Sequence, residues 1–273
     1  MGSNVVLRLF ASLLTAFVPY ALVITMSNYS ESKGPEKKLV TFTILYDNNA
    51  YDHRLKTAWG FSCLIECETN TVLFDTGGDG RTLLENMKIL SKDPKAIQTI
   101  ILSHSHGDHT GGLERLLRET LSVKLYVPGS FPEAFDRAAK AYGATVVRVN
   151  APLEICSGFR STGEMGNGIK EQSLLVNTPQ GIILITGCAH PGIIEMIRKA
   201  KSIAREDIYM VIGGWHLSSA GEKEIEGILG EFRRMGIQKV APCHCTGDKA
   251  MAMFRREYGG NFIKAGVGSI LRF

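Results

Sequence analysis

The sequence predicts a protein of the α/β class, in which layered β-sheets are covered by helices. Short apolar, strand-like runs alternate with longer segments of helical periodicity, and 29 glycines against 9 prolines indicate many tight turns. The chain has 273 residues, of which 44% are hydrophobic and 21% are charged, an ordinary globular mixture. This composition excludes a disordered tail protein, a collagen-like repeat and a small disulfide-dense scaffold.

Apolar alternation places the elements of the first half. Strands are predicted at residues 40–45, 60–67, 71–74, 99–103, 124–127 and 145–149, and helices at 82–90, 113–121 and 132–142. Residues 158–167 contain three glycines with Ser and Thr, and are predicted to be an irregular loop beside the site.

The second half alternates strands with helices more regularly. Strands are predicted at residues 173–177, 181–186, 208–212 and 239–242, and helices at 193–203, 222–235 and 249–258. Such alternation is typical of sheets with covering helices.

The N-terminal residues 1–38 are predicted to be a separate signal or anchor segment followed by a linker. Residues 9–30 carry no charge, and the apolar part of about 18 residues is near the lower limit for crossing a bilayer. We expect a hydrophobic helix outside the fold, a domain at residues 39–273, and a membrane-anchored or exported protein that meets the membrane only through this segment. The alternative is a mis-assigned start codon, with a cytoplasmic protein, or a buried N-terminal helix.

The charge and cysteine content restrict the kinds of binding partner that we expect. The formal net charge of +4 comes from 31 basic and 27 acidic residues, which is too mixed an excess to predict nucleic-acid binding. The six cysteines show no disulfide framework, because Cys63 and Cys67 would lie about 13 Å apart on one strand. We therefore expect a small-molecule substrate.

The segment SHSHGDHTGG at residues 103–112 indicates a metal site. His104 and His106 have a spacing that lets both imidazoles reach one ion, and Asp108 and His109 can reach a second ion nearby. The segment follows a predicted buried strand and precedes a helix. Three of the seven histidines within six positions are more than chance predicts.

This histidine pattern resembles that of the metallo-β-lactamase superfamily, whose mark is His-x-His-x-Asp-His. The sequence further resembles the branch of dihydropterin-methyl-ribofuranosyl-aminobenzene-phosphate synthase-like proteins. The blocks that carry this resemblance are YDNN (46–49), GFS (60–62), LIE (64–66), LFDTG (73–77), EQSL (171–174), TGCAHPG (186–192), GGWHL (213–217) and HCTG (244–247). The resemblance implies an αββα sandwich with a one- or two-metal site between the sheets.

Within that fold, two further histidines are candidate ligands. His190 follows the predicted strand at 181–186 and would complete the first set with His104 and His106. His244 follows the strand at 239–242, as the last ligand does in the superfamily, and would join Asp108 and His109.

Three more residues have candidate roles near these ligands. Asp75 is expected to accept a hydrogen bond from a ligand histidine and so fix its tautomer, the alternative being a turn with Gly77. His216 is expected to face the cleft as a catalytic residue, where it could ligate metal, bind substrate or supply a proton. Cys188 is interpreted as a small buried residue rather than a ligand.

The donor set suits Zn²⁺, in one or two copies, although other divalent metals are possible. Because zinc lowers the pKa of bound water to about 7, the sequence predicts a metal-dependent hydrolase that attacks an ester or phosphoester-type bond, with Asp108 orienting the nucleophile. One alternative is a transferase that joins a dihydropterin-methyl diphosphate to a ribofuranosyl-aminobenzene phosphate. Another is a metal-binding sensor without turnover.

Overall fold

The computed structural model describes residues 39–68 and 70–273. The predicted signal or anchor at residues 1–38 lies outside this part of the chain and stays a prediction. Within the described ranges, no helix combines the length and apolar character needed to cross a membrane.

Thirteen strands and seven α-helices are formed within the described residues. In chain order they are β1 (Thr41–Tyr46), β2 (Ser62–Cys67), β3 (Asn70–Phe74), α1 (Gly80–Ile89), β4 (Thr99–Ile101), α2 (Gly107–Thr110), α3 (Leu113–Leu117), β5 (Lys124–Pro128), α4 (Glu133–Ala141), β6 (Thr145–Val149), β7 (Leu153–Cys156), β8 (Phe159–Ser161), β9 (Leu174–Thr178), β10 (Gly181–Thr186), α5 (Ile193–Ala204), β11 (Ile208–Gly213), α6 (Glu222–Arg234), β12 (Lys239–Pro242), α7 (Asp248–Tyr258) and β13 (Ile270–Arg272).

These strands form two mixed sheets. The first has the order β13-β1-β2-β3-β4-β5-β6, and the second has the order β12-β11-β10-β9-β8-β7. Hairpin neighbours such as β2 and β3 pair antiparallel, whereas β3 to β6 and β10 to β12 pair parallel with helices in their connections.

Three apolar layers hold the fold together. Side chains such as Phe42 and Phe74 of the first sheet pack between the sheets with Ile185 and Ile212 of the second. A second layer lies between the second sheet and helices α5, α6 and α7, and a third lies between the first sheet and helices α1, α3 and α4. This arrangement is an αββα sandwich, which confirms the layered α/β fold expected from the sequence.

Three short strands were not predicted. The segment 158–167, expected to be irregular, begins with β8, which pairs with β7 around the turn at Gly158. Strand β13 closes the edge of the first sheet against β1. Strands of three or four residues are too short to show an alternating pattern, and they form because a neighbouring strand offers unpaired backbone groups.

The topology gathers loops at one edge of the sandwich. Strands β10, β11 and β12 are parallel neighbours, so their carboxyl ends open on the same side. The loops that follow them carry Cys188, His190, His216 and His244. The loop after β4 carries the His-x-His-x-Asp-His segment. The carbonyl oxygen of Ser103 at its start accepts a hydrogen bond from the backbone N–H of Gln172, and this bond joins the two sheets at this edge.

Candidate metal centre

The His-x-His-x-Asp-His segment leaves β4 and enters the short helix α2. His104 is fully buried and His106 is half-buried immediately before the helix, while Asp108 and His109 lie within its single turn. Four potential ligands therefore project from one turn of chain into the space between the sheets, as the sequence predicted from their spacing.

The first group consists of His104, His106 and His190. Nε2 of His104 lies 3.1 Å from Nδ1 of His106, and the ring centroid of His190 is 4.7 Å from that of His104 and 4.8 Å from that of His106. One ligand atom from each ring lies within 4.8 Å of the others, close enough to bind one ion.

The second group consists of Asp108, His109, His244 and Cys188. Nε2 of His109 lies 3.3 Å from Nε2 of His244 and 3.2 Å from Sγ of Cys188. Oδ2 of Asp108 is 3.6 Å and 3.4 Å from the same two imidazole nitrogens. Cys188 is buried as expected, but its sulfur faces the candidate ligands.

The two groups are adjacent. The ring centroids of His104, in the first group, and His109, in the second, are 4.2 Å apart, so the two groups meet at this pair of imidazoles. This placement brings together all six residues that the sequence analysis assigned as ligands, in the two sets proposed there. Two ions bound in these groups would lie within a few ångströms of each other.

Asp75 fixes the orientation of the imidazoles of His104 and His109. Its Oδ2 accepts hydrogen bonds from Nδ1 of His109 at 2.7 Å and from the hydroxyl of Ser103 at 2.7 Å. The Ser103 oxygen in turn accepts from Nδ1 of His104 at 2.9 Å. Each ring donates through Nδ1, so its Nε2 faces the site and carries a lone pair when the ring is neutral. The alternative turn with Gly77 is not formed, since the Gly77 amide donates to Phe61.

His244 is held in the same way from the first sheet. Its Nδ1 donates to Oδ1 of Asn48 at 2.9 Å, and the Asn48 amide donates back to the carbonyl of His244 at 3.2 Å. The backbone N–H of His244 donates to Oδ2 of Asp47 at 3.1 Å, which supports a backbone with φ 48°. With Nδ1 engaged by Asn48, Nε2 of His244 is the ring nitrogen that faces the site.

The donor atoms fit a cation. Nε2 of His109 and Nε2 of His244 face each other at 3.3 Å, where two neutral rings have no proton to share, and the Asp108 carboxylate adds a third acceptor to the same space. In the first group, the buried Nε2 of His190 has no hydrogen-bond partner. A metal ion satisfies such converging acceptors, and histidines with carboxylate or thiolate neighbours suit Zn²⁺ and other first-row divalent metals.

The pKa shifts agree with this conclusion. Burial, and then the neighbouring rings, lower the pKa of His104, and the same causes lower the pKa of His190 to about 4, so both candidate ligands are neutral at pH 7. Half-burial would raise the pKa of Asp108, but the rings of His244 and His109 lower it more, and the carboxylate is ionised. Although burial lowers the pKa of His109, the Asp75 carboxylate raises it overall, so this pocket favours positive charge.

A fully buried glutamate positions the loop after β10. Oε1 of Glu171 accepts from the backbone N–H groups of Gly187, Cys188 and Ala189, each at 3.0 Å, and Oε2 accepts from that of His190 at 2.9 Å. Four amide donors on one carboxylate fix the backbone that carries two candidate ligands. Glycine is required at 187, since a Cβ there would lie 2.1 Å from the Ser103 hydroxyl oxygen.

His216 faces the same cleft from the loop after β11. It is exposed, its ring centroid lies 4.6 Å from that of His190, and its backbone has φ 52°. A hydrogen bond with Cys245 raises its pKa, and burial only partly opposes this shift. Cys188, His216 and Cys245 together form a third group whose ligand atoms lie within 4.8 Å of one another.

Several residues around the ligands were given no role in the sequence analysis. Ser103, Glu171, Asn48, Asp47 and Cys245 all contact the candidate ligands or their backbone. Most lie in the sequence blocks that carried the family resemblance, which was a usable signal. Cys188 and Cys245 looked unrelated because 57 residues separate them in the chain.

Comparison with known proteins agrees with the fold. The profile of the metallo-beta-lactamase superfamily matches residues 60–214, more than half of the chain, and the protein belongs to this superfamily. The chain is 28% identical, over 88% of its length and 98% of the relative's, to 7,8-dihydropterin-6-methyl-4-(beta-D-ribofuranosyl)-aminobenzene-5'-phosphate synthase of Methanocaldococcus jannaschii.

Solved structures show the same fold. Tm1679, described as a metal-dependent hydrolase of the beta-lactamase superfamily, is similar with a TM-score of 0.70 and 28% identity, over 85% of this chain and 98% of that one. The metallo-beta-lactamase fold protein YhfI from Bacillus subtilis is similar with a TM-score of 0.65 and 14% identity, over 87% of this chain and 100% of that one. At that identity the second likeness concerns the fold alone.

Proposed function

We propose that the protein is a metal-dependent hydrolase, with zinc as the resident metal, that cleaves an ester or phosphoester-type bond of a small molecule. The observation that carries this proposal is the pair of adjacent ligand groups, in which the ring centroids of His104 and His109 lie only 4.2 Å apart. The similarity to Tm1679, which is described as a metal-dependent hydrolase, supports it.

The ligand roles follow from the geometry above. His104, His106 and His190 would hold one ion, and Asp108, His109 and His244 would hold a second, with the Cys188 sulfur beside it. When bound, zinc supplies Lewis acidity and lowers the pKa of water to about 7, which makes hydroxide available at neutral pH.

Asp108 and His216 would act on the substrate and the attacking water. The Asp108 carboxylate is half-buried and ionised, so one oxygen can accept a proton from water while the other faces the ligand rings. His216 is exposed beside His190 and has a raised pKa, so its imidazolium can donate a proton to the leaving group. Asp75, Ser103 and Glu171 hold the other groups in place and touch no substrate.

Metal content and hydrolysis test the proposal together. Protein purified without chelator should hold one or two equivalents of metal, mainly zinc, by elemental analysis. His106→Ala should lose metal and thermal stability together, since a bound ion stabilises the native state, whereas His53→Ala, at an exposed position outside all three groups, should change neither. Wild-type protein that stays metal-free in excess zinc would overturn the proposal.

The reaction is tested with an activated phosphodiester and an activated ester across pH. Hydrolysis should rise with pH with an apparent pKa of about 7 to 8. Asp108→Ala should lower kcat by about 100-fold or more, since it removes both a ligand and a proton acceptor. His216→Ala should lower kcat while the metal content stays unchanged.

A transferase is the second candidate, because the likeness to the Methanocaldococcus jannaschii synthase covers 98% of that protein. Here the metal would bind the diphosphate of a pterin-methyl substrate. A fully metallated protein that hydrolyses neither substrate, but releases diphosphate only when an aryl amine is added, would establish this candidate instead. Silence with every substrate would favour a metal-binding sensor.

A further inference from the structure

Trp59 lies exposed beside the second ligand group. Its side chain is 57% exposed, although its ring centroid is only 4.9 Å from that of His244, with 55° between the ring planes. The other tryptophan, Trp215, is 1% exposed and packs against Phe232 and Phe254. Beside its contact with the His244 ring, the indole presents a large apolar surface to water at a candidate active site.

The backbone around Trp59 is tied to the ligand-bearing helix. A Cβ at Gly60, where φ is +139°, would lie 2.2 Å from the carbonyl oxygen of Asp108, so the chain passes in direct contact with α2. The Phe61 amide donates to the same oxygen at 3.3 Å. The position of Trp59 relative to Asp108 and His244 is therefore set by packing and not by a free loop.

Charged neighbours in the same loop are paired within the protein. Arg54 forms an ion pair with Asp52 at 2.6 Å, and Lys56 forms one with Glu85 at 2.6 Å. Because both cations already form ion pairs, a charged group of the substrate would bind at the two ligand groups instead. What the surface at Trp59 offers is a flat, apolar, electron-rich face.

We propose that Trp59 is a substrate-binding platform that stacks a planar aromatic group of the substrate, placing the bond to be cleaved over the adjacent ligand groups. This rests on the proposed function. The substrate class is then an aryl or heteroaryl ester or phosphoester, and Trp59 selects it by stacking. Aromatic stacking contributes about a threefold to tenfold gain in affinity.

The test compares phenylphosphonate with cyclohexylphosphonate as ligands of the zinc-loaded full chain, because the protein cannot hydrolyse their C–P bonds. The two differ in the planarity of the ring, and their dissociation constants are measured by calorimetry. We expect phenylphosphonate to bind about three to ten times more tightly. Trp59→Ala should remove this preference and Trp59→Phe should keep most of it, while Tyr51→Ala, which removes a 50% exposed aromatic of the same loop, should leave it unchanged.

Fluorescence gives a second readout that does not depend on turnover. Phenylphosphonate should quench the long-wavelength emission of exposed Trp59, and Trp59→Phe should leave only the buried Trp215, whose emission the ligand does not change.

Each adverse result has a distinct meaning. Equal binding of both phosphonates, in wild type and in Trp59→Ala, would overturn the platform alone. A loss of bound metal in Trp59→Ala would also overturn it, since Trp59 would then only shield His244. Failure of both phosphonates to bind the metallated protein would overturn the proposed function, and the platform with it.

Discussion

The carboxylate of Asp75 and the imidazole of His109 form a fully buried pair, with Oδ2 and Nδ1 2.7 Å apart. This pair, and not the ligand atoms alone, decides which nitrogen of His109 faces the candidate metal site. Through Ser103, the same carboxylate also determines the tautomer of His104.

Asp75→Asn should lower metal affinity by about 10- to 100-fold, because an amide in place of the carboxylate no longer fixes both rings. The measurement is a zinc titration in competition with a chromophoric chelator. Asp79→Asn is the matched control, since Asp79 caps helix α1 from an exposed position and Asn is an equally good cap. Unchanged affinity in Asp75→Asn would contradict this role.

Cys188→Ser should remove a sulfur-to-metal charge-transfer band from the Co²⁺-substituted protein. The Cys188 sulfur lies 3.2 Å from Nε2 of His109, within reach of an ion in the second group. Near-ultraviolet absorption is the readout, and Cys67→Ser, on β2 outside all three candidate groups, is the control. A full band in Cys188→Ser would show that Cys188 is only a buried neighbour, or that Cys245 is the sulfur ligand.

The metal-free protein should lose stability as the pH falls from about 6.5 to about 4. Burial, and then the rings of His216 and His106, lower the pKa of His190 from 6.5 to about 4 in the folded state. In that window the unfolded chain binds more protons, so the free energy of unfolding rises with pH. Urea unfolding at several pH values, in chelator, measures this slope. His190→Gln should reduce the slope and His53→Gln should not; an equal slope in His190→Gln would refute the assignment.

A chain that begins at Leu39 should fold with the same thermal midpoint and metal content as the full chain. Every described strand and helix lies within Leu39–Phe273, a length that supports its own core. The full chain should partition to the membrane or be exported through residues 1–38, while the truncated chain stays soluble. Full-length protein found entirely in the cytosolic fraction would reject the anchor.

The local part of the site could be predicted from the sequence. His104, His106, Asp108 and His109 lie within six positions, so their spacing alone indicates convergence on metal, and the αββα fold follows from the family resemblance to this motif. His190 and His244 needed in addition the rule that parallel strands bring their carboxyl ends together.

The supporting residues could not be predicted in the same way. Glu171 is an ordinary glutamate in sequence, and its role arises because folding places the backbone of 187–190 against its carboxylate. Cys245 and Cys188 come into contact only because two loops pack together. The sequence alone therefore predicted no relation between these two cysteines. Strands β7, β8 and β13 form because neighbouring strands recruit them, which local periodicity does not record.

His109 and His244 are 135 residues apart in the chain, and their facing nitrogens have consequences for biosynthesis. A nascent chain that ends before β12 has emerged carries His104 and His106 but lacks His244, so it cannot retain an ion in the second group. The complete set of donors in the second group exists only once both sheets have docked, so an ion bound there would join loops from the two halves of the chain. Under the proposed function, the second group would take up its ion only at the end of folding.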